Sequence, residues 1–297
     1  MPITIDAHYV RPNLAAIYLL QKGDEAILMD TGTSLSTPYV LQALERHHID
    51  PKAVTTIFVT HVHLDHAGGA GALLQALPNA RLFVHPRGAR HLIDPARLIE
   101  SAKGVYGEAL FMKLYGTIVP CPEERVKTVE DGEKITIGGH TLLILHTLGH
   151  AKHHYAVFDE EEGILYSGDA FGVSYRELDT EKGAFVFPTT TPTQFDAGAM
   201  KDSFVKLGKL SPKRVAPTHF DTFLFQKDQV TKLCHDVDTF VELARRHQNE
   251  EALAKALVDH LIHEARVHGV TLDDATLQTL FELDSRLNAQ GLLVAIQ

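Results

Sequence analysis

The chain has 297 residues, 44% of them hydrophobic, and a mean hydropathy of −0.05, which suits a globular protein of one large or two ordinary domains. Its formal net charge of −10, with no run of Lys and Arg to override it, repels phosphate backbones and argues against nucleic acid as a partner. No apolar run approaches the roughly 18 residues of a membrane helix, and Cys121 and Cys234 form no CxxC pair, so a reduced, cytoplasmic setting away from membranes is expected.

The first thirty residues break at Arg11-Pro12 and at Lys22-Gly23-Asp24, so they hold no secretory stretch. They read as extended segments at 13–20 and 25–30 joined by the Gly23 turn. Thr37 as a cap and Pro38 in the first turn predict a helix to about His48. Residues 54–59 form a strand that runs directly into Thr60-His61-Val62-His63-Leu64-Asp65-His66-Ala67-Gly68-Gly69; a helix over 70–77 and a strand over 82–85 follow. Residues 95–119 read as a helical insertion bearing Tyr106, Leu110, Phe111, Met112, Leu114 and Tyr115, suited equally to a core helix and to a lid facing substrate. Strands over 133–137, 141–145, 154–159 and 163–167 imply a second sheet. A loop rich in Pro and Thr (172–192), a helix over 194–210, a strand over 214–217 and a helical tail from about 226 complete the chain. There is no internal repeat and no low-complexity segment.

Nineteen histidines exceed what packing or solubility requires, and their clustering points to chemistry. Hydrolytic metal centres need neutral imidazoles and carboxylates converging on an open coordination position. His61, His63, Asp65 and His66 supply four donors within six residues, and alternate side chains of an extended segment share a face. Further donors stand directly after strands: His150 in Thr147-Leu148-Gly149-His150, Asp169 after Ser167-Gly168, and His219 after Pro217-Thr218. The helix-borne His47, His48, His247, His260, His263 and His268 read as polar surface residues, and His85, His91 and His140 have no partner at ligand spacing. His146 and His154 fit structural roles best, with His154 retained as a candidate near the metals or substrate. Tyr175, shortly after Asp169, is a candidate for polarising substrate.

In this order and at these distances, THVHLDHAGG, TLGH, SGDA and PTHF, with Asp30 in MDTG, resemble the motif set of the metallo-β-lactamase superfamily over roughly residues 13–225. The resemblance implies an α/β fold: a four-layer αββα sandwich as the catalytic domain (1–225), with a C-terminal helical extension (226–297) packed on it. It also implies that His61, His63 and His150 hold one metal, that Asp65, His66 and His219 hold the other, and that Asp169 bridges them. Asp30 would brace the histidine loop without touching metal. The segment after His150 reads Ala151-Lys152-His153-His154, a departure from the usual motif that leaves His153 and His154 without an assigned role.

Two divalent ions, zinc in the first instance with iron or manganese as alternatives, lower the pKa of a shared water from about 15.7 toward about 7. The expected activity is therefore hydrolysis of a small ester-like substrate by a metal-bridged hydroxide, with Asp65 orienting the water. The lack of a secretory stretch disfavours an exported β-lactamase, and the charge disfavours a nuclease, which leaves an acyl thioester, ester or lactone. The helical tail resembles that of glyoxalase II and favours thioesters; a lactonase tyrosine three positions after Asp169 is absent, Gly172 standing there. Two other readings are carried: a mononuclear non-heme iron dioxygenase using His61, His150 and Asp169, and a metal-containing ligand sensor. The apolar tail is compatible with a homodimer.

Overall fold

The computed structural model describes residues 1–190 and 194–296, and the chain divides into two compact units. The first comprises residues 1–146, 153–168 and 218–220; the second comprises 147–152, 169–217 and 221–297.

In the first unit, β1 (Ile3–Asp6), β2 (Ala16–Lys22), β3 (Glu25–Met29), β4 (Val54–Phe58), β5 (Arg81–Val84) and β6 (Val126–Thr128) form a six-stranded sheet in that order. The first three strands pair antiparallel and the remainder parallel. The parallel pairs need crossovers: α1 (Thr37–Arg46) joins β3 to β4, while α2 (Leu64–Ala67) and α3 (Ala70–Ala76) join β4 to β5. Between β5 and β6 run α4 (Ala89–Ile93), α5 (Ala96–Tyr106) and α6 (Glu108–Tyr115). Ile17, Leu19, Ala26 and Leu28 share one buried cluster with Val40, Leu44, Leu73 and Leu77 of the crossover helices. Residues on the opposite strand face, such as Tyr18, Leu20 and Ile27, are buried as well. Burial on both faces explains why β2 and β3 read as continuous apolar runs and not as alternating ones. The same unit holds a meander of β7 (Lys134–Ile137), β8 (His140–His146), β9 (Tyr155–Asp159) and β10 (Ile164–Gly168), each antiparallel to the next.

Helix α1 starts differently from the sequence expectation. Thr37 is its first helical residue, not its cap, because a single 3₁₀ turn (Ser34–Ser36) precedes it. The capping falls to Thr33 and Ser36, which bond each other's backbone and side chain reciprocally. The sequence reading also passed over β6, whose three residues are too few to show a period. Arg125 immediately before it is placed by three carbonyls, those of Leu74, Leu77 and Ala80 at the end of α3.

In the second unit, α7 (Ala197–Gly208) is capped by Asp196, which accepts the Ala199 N–H. It precedes a short antiparallel pair, β11 (Arg214–Pro217) with β12 (Phe223–Leu224); the two residues of β12 were likewise invisible to pattern. Then come α8 (Lys227–Arg246), α9 (Glu250–His268) and α10 (Asp274–Ala295). Leu253, Leu257, Leu261 and Ala265 recur every fourth residue and are fully buried, a single stripe worth roughly 1.5–3 kcal/mol for each leucine. Asn249 and Asp273 cap α9 and α10, and Gly269, at φ +103°, ends α9 in the left-handed conformation. The segment expected as a loop over 172–192 is partly ordered by a bridge between Val173 and Phe187, with Phe187 packing edge-on against Phe281 of α10 at 5.4 Å. Residues 191 and 192 of that segment lie outside the described residues.

A buried amide ties this segment to α10. Asn288 accepts the Thr190 N–H at 2.6 Å and the Thr190 hydroxyl at 3.1 Å, and donates to the Pro188 carbonyl at 3.3 Å. Asn288→Ala strands a buried N–H, so a loss of about 2–3 kcal/mol is expected in urea unfolding. A loss below about 0.5 kcal/mol would show that the tie is not a structural one.

Candidate metal centre

The chemistry of the first unit begins at the end of β3, where Asp30 adopts φ +61° and is buried. Its carboxylate accepts the Thr60 N–H at 2.7 Å, the Thr60 hydroxyl at 3.0 Å, the Thr218 hydroxyl at 2.7 Å and His66 Nδ1–H at 3.2 Å. These bonds hold the exit of β4, the helix α2 and the residue before His219 to one point. Thr31 adds two bonds to the His66 carbonyl, from its N–H at 2.7 Å and its hydroxyl at 2.8 Å. The approach is close enough to dictate the glycines of the motif. A Cβ on Gly69 would stand 2.7 Å from the Thr31 carbonyl oxygen and 2.8 Å from that of Thr33.

The ligand segment is not a plain loop. Past His63 the chain turns into α2, so Asp65 and His66 project from one helical turn while His61 and His63 precede it. Because Asp30 takes the Nδ1 proton, His66 is the tautomer whose Nε2 carries a lone pair. His219 is fixed in the same sense by Nδ1–H donation to the Leu14 carbonyl at 2.8 Å. Both Nε2 atoms face Asp65 Oδ2, at 3.6 Å from His66 and 3.7 Å from His219. These separations exceed a hydrogen bond and lie near the edge of about 3.4 Å expected between ligands of a tetrahedral ion with bonds of about 2.05 Å. The three donor atoms all lie within 4.8 Å of one another. His61, fully buried, sits beside them with its ring 4.0 Å from that of His66, and its Nε2 is 2.7 Å from His63 Nδ1.

The second unit holds the other two sequence-assigned donors. His150 Nε2 and Asp169 Oδ2, 19 positions apart in sequence, are 3.3 Å apart in space, and His150 Nδ1–H donates to the Thr189 carbonyl at 3.1 Å. Gly149 precedes His150 because the backbone is at φ +117° there and a Cβ would come within 2.2 Å of the Met200 nitrogen.

Of the remaining candidates, Asp30 stands behind the candidate ligands, its oxygens engaged by Thr60, Thr218 and His66. His154 is fully buried with its ring 4.8 Å from that of His61 and stacked on it; His153, left without a role, lies 5.7 Å from the His63 ring. Tyr175 is buried, and its hydroxyl donates to Asp284 of α10 at 2.8 Å, so that proton is already engaged. Two histidines without partners at sequence spacing find them through strand pairing. His140 lies 3.5 Å from Asp159 and 3.0 Å from Lys22 Nζ; His85 packs on His146 at 4.2 Å and is held down to about 4 by burial first, then by His146 and Arg87. The sequence reading missed Thr60 and Thr218. The one signal available was that each stands directly before a ligand histidine.

Comparisons with known proteins bear on the family and the fold. The model of the metallo-beta-lactamase superfamily matches residues 10–219. A metallo-beta-lactamase fold-containing protein of Sulfurisphaera tokodaii, ST1585, is 27% identical over 212 residues, which are 70% of this chain and 73% of that protein. The crystal structure of ST1585 superposes with a TM-score of 0.69 at 23% identity, covering 98% of this chain and 97% of the other. Human acyl-coenzyme A thioesterase MBLAC2 is 26% identical over 262 residues, 78% of this chain and 85% of its own. TTHA1623, solved in a di-iron-bound form, gives a TM-score of 0.53 at 24% identity over 78% of this chain and 97% of its own. The chain belongs to the metallo-β-lactamase superfamily and has its αββα fold, followed by C-terminal helices. Among the described residues no helix is long and apolar enough to cross a membrane.

Gly149→Ala combines a forced left-handed backbone with a backbone clash, so a destabilisation of more than about 2 kcal/mol is expected. Thermal unfolding that stays within about 2 °C of the parent would show that the TLGH turn tolerates a side chain.

Proposed function

We propose that this protein is a binuclear metal-dependent hydrolase that cleaves a small acyl thioester. The observation that carries the reading is the convergence of His66 Nε2 and His219 Nε2 on one oxygen of Asp65, with both imidazoles locked in the ligand tautomer. Three donors of this kind fit a divalent cation. By the superfamily motifs, Asp65, His66 and His219 would hold one ion, His61, His63 and His150 the second, and Asp169 would serve both. Zinc suits imidazole and carboxylate donors in four-coordinate geometry.

Such ions supply Lewis acidity, which polarises an acyl carbonyl and lowers the pKa of water. The chain's own groups do the rest. Asp65, whose side chain is 19% exposed beside two buried imidazoles, is the group able to orient the attacking water and take its proton. Oxygen adds to the acyl carbon, the carbon–sulfur bond breaks, and Asp65 returns the proton to the departing thiolate, leaving a carboxylic acid and a thiol. Asp30 keeps the His66 ring aimed throughout, with its Nδ1 proton engaged. The thioester class is favoured by the similarity to an acyl-coenzyme A thioesterase and by the three-helix tail, α8 to α10.

Elemental analysis of protein purified without added metal is expected to give two zinc ions per chain, and turnover of acyl-coenzyme A substrates is expected to vanish with a chelator and return with zinc. His66→Ala should lose one ion and lower kcat/KM by more than about a hundredfold. A single iron per chain, with full activity in His66→Ala, would replace this reading by the oxygenase one; full metal loading without turnover of any thioester would replace it by a sensor.

Asp30→Asn keeps the shape of the side chain but weakens its pull on the His66 proton. Zinc affinity measured by chelator competition should fall about 10–100-fold, and unchanged affinity would remove Asp30 from the role of aiming His66.

A further inference from the structure

The hydroxyl of Thr60 stands between a candidate ligand histidine and the buried carboxylate of Asp30. Thr60 directly precedes His61 and is itself buried. Its Oγ1 lies 3.0 Å from each oxygen of Asp30 and 3.2 Å from His61 Nδ1. A hydroxyl has one proton to give and lone pairs with which to accept, whereas a carboxylate only accepts. The single Thr60 proton therefore goes to Asp30, and the bond to His61 runs the other way: His61 Nδ1–H donates to the hydroxyl. The lone pair of the ring is left on Nε2, the nitrogen that faces His63 Nδ1 at 2.7 Å.

Packing keeps the hydroxyl in this position. Asp30 and His61 are both buried, so solvent competes for neither bond. The His61 ring is stacked on that of His154 at 4.8 Å and lies 4.0 Å from that of His66. Stacking fixes the plane of the ring, and the bond to Thr60 selects which of its edges points inward. The exit of β10 lies directly against both groups. A Cβ on Gly168 would stand 2.7 Å from Thr60 Oγ1 and 2.6 Å from His154 Nε2.

Asp30 thus reaches two histidines. One arm is direct, to His66 Nδ1 at 3.2 Å; the other passes through the Thr60 hydroxyl to His61. In the ligand set proposed above these histidines belong to different ions. The Thr60 N–H bonds Asp30 on its own account, at 2.7 Å, so loss of the hydroxyl breaks the second arm and leaves the segment anchored.

We infer that Thr60 is a positioning residue that carries the pull of Asp30 to His61, so that one carboxylate sets the tautomer of a histidine in each of the two metal sites. This rests on the binuclear reading and adds a link between the ions: Asp30 governs both, Thr60 only the one held by His61.

The test uses the full chain. Ring-nitrogen NMR of its histidines reads the His61 tautomer without metal, and chelator competition reads the two zinc affinities. In the parent, His61 should carry its proton on Nδ1. Thr60→Val keeps the side-chain shape and the backbone bond but has no hydroxyl, so the His61 proton should shift toward Nε2. One zinc affinity should then fall about 10–100-fold while the other stays within about threefold. Thr60→Ser restores the hydroxyl and should restore tautomer and affinity together. Thr218→Val takes a different hydroxyl from Asp30 and should leave the His61 tautomer as it is, which separates the relay from general disturbance of the carboxylate. Combining Asp30→Asn with Thr60→Val should weaken the affected ion by less than the product of the single effects, because both changes break one path. A parent whose His61 proton sits on Nε2 overturns the inference with no variant needed. So does a Thr60→Val chain that keeps the parent tautomer and both affinities, or a Thr60→Ser chain that rescues neither. A parent that takes up fewer than two zinc ions overturns the binuclear reading, and the tautomer of the metal-free chain then still decides the role of Thr60.

Discussion

One buried carboxylate governs the first unit. Asp30 gathers hydrogen bonds from Thr60, His66 and Thr218, the last of them 188 positions away in the sequence. A buried charge without partners would be expelled or protonated; four donors make it the joint at which β3, β4, α2 and the chain before His219 meet. The same joint determines chemistry. A carboxylate accepting from Nδ1 leaves Nε2 with its lone pair, and an imidazole in that state is a ligand, whereas one protonated on both nitrogens is only a cation. Burial keeps the arrangement dry, so neither proton nor orientation is shared with solvent.

The second unit uses the backbone for the same purpose. The Thr189 carbonyl does for His150 what Asp30 does for His66 and Leu14 for His219. In all three cases the outer ring nitrogen is committed and the inner one faces a carboxylate oxygen at 3.3–3.7 Å. Repetition of this device in histidines from unrelated segments favours a ligand set over a chance crowd of imidazoles. His140 provides the contrast: it also has carboxylates near it, but Lys22 already supplies the cation there.

Much of this was legible in the sequence because it is local. Six residues carry four donors, buried strands show as continuous apolar runs such as 16–20, and TLGH, SGDA and PTHF each stand at the end of a strand. What escaped was set by contacts between distant segments. The cap of α1 moved back to Thr33 because an extra turn intervenes; β6 and β12 exist because a neighbour pairs with them. Tyr175 looked available from its position after Asp169, but its hydroxyl is engaged by a residue 109 positions later.

Every candidate metal ligand stands at a strand exit, in α2 or in a connecting segment, and none lies in the interior of β2, β3 or β4. The sheet interior and the chemistry are therefore written in separate parts of the chain. One aliphatic residue can replace another inside those strands without touching a donor atom, provided volume is kept. On such a plan most of the sheet interior can drift in sequence without disturbing the donor atoms.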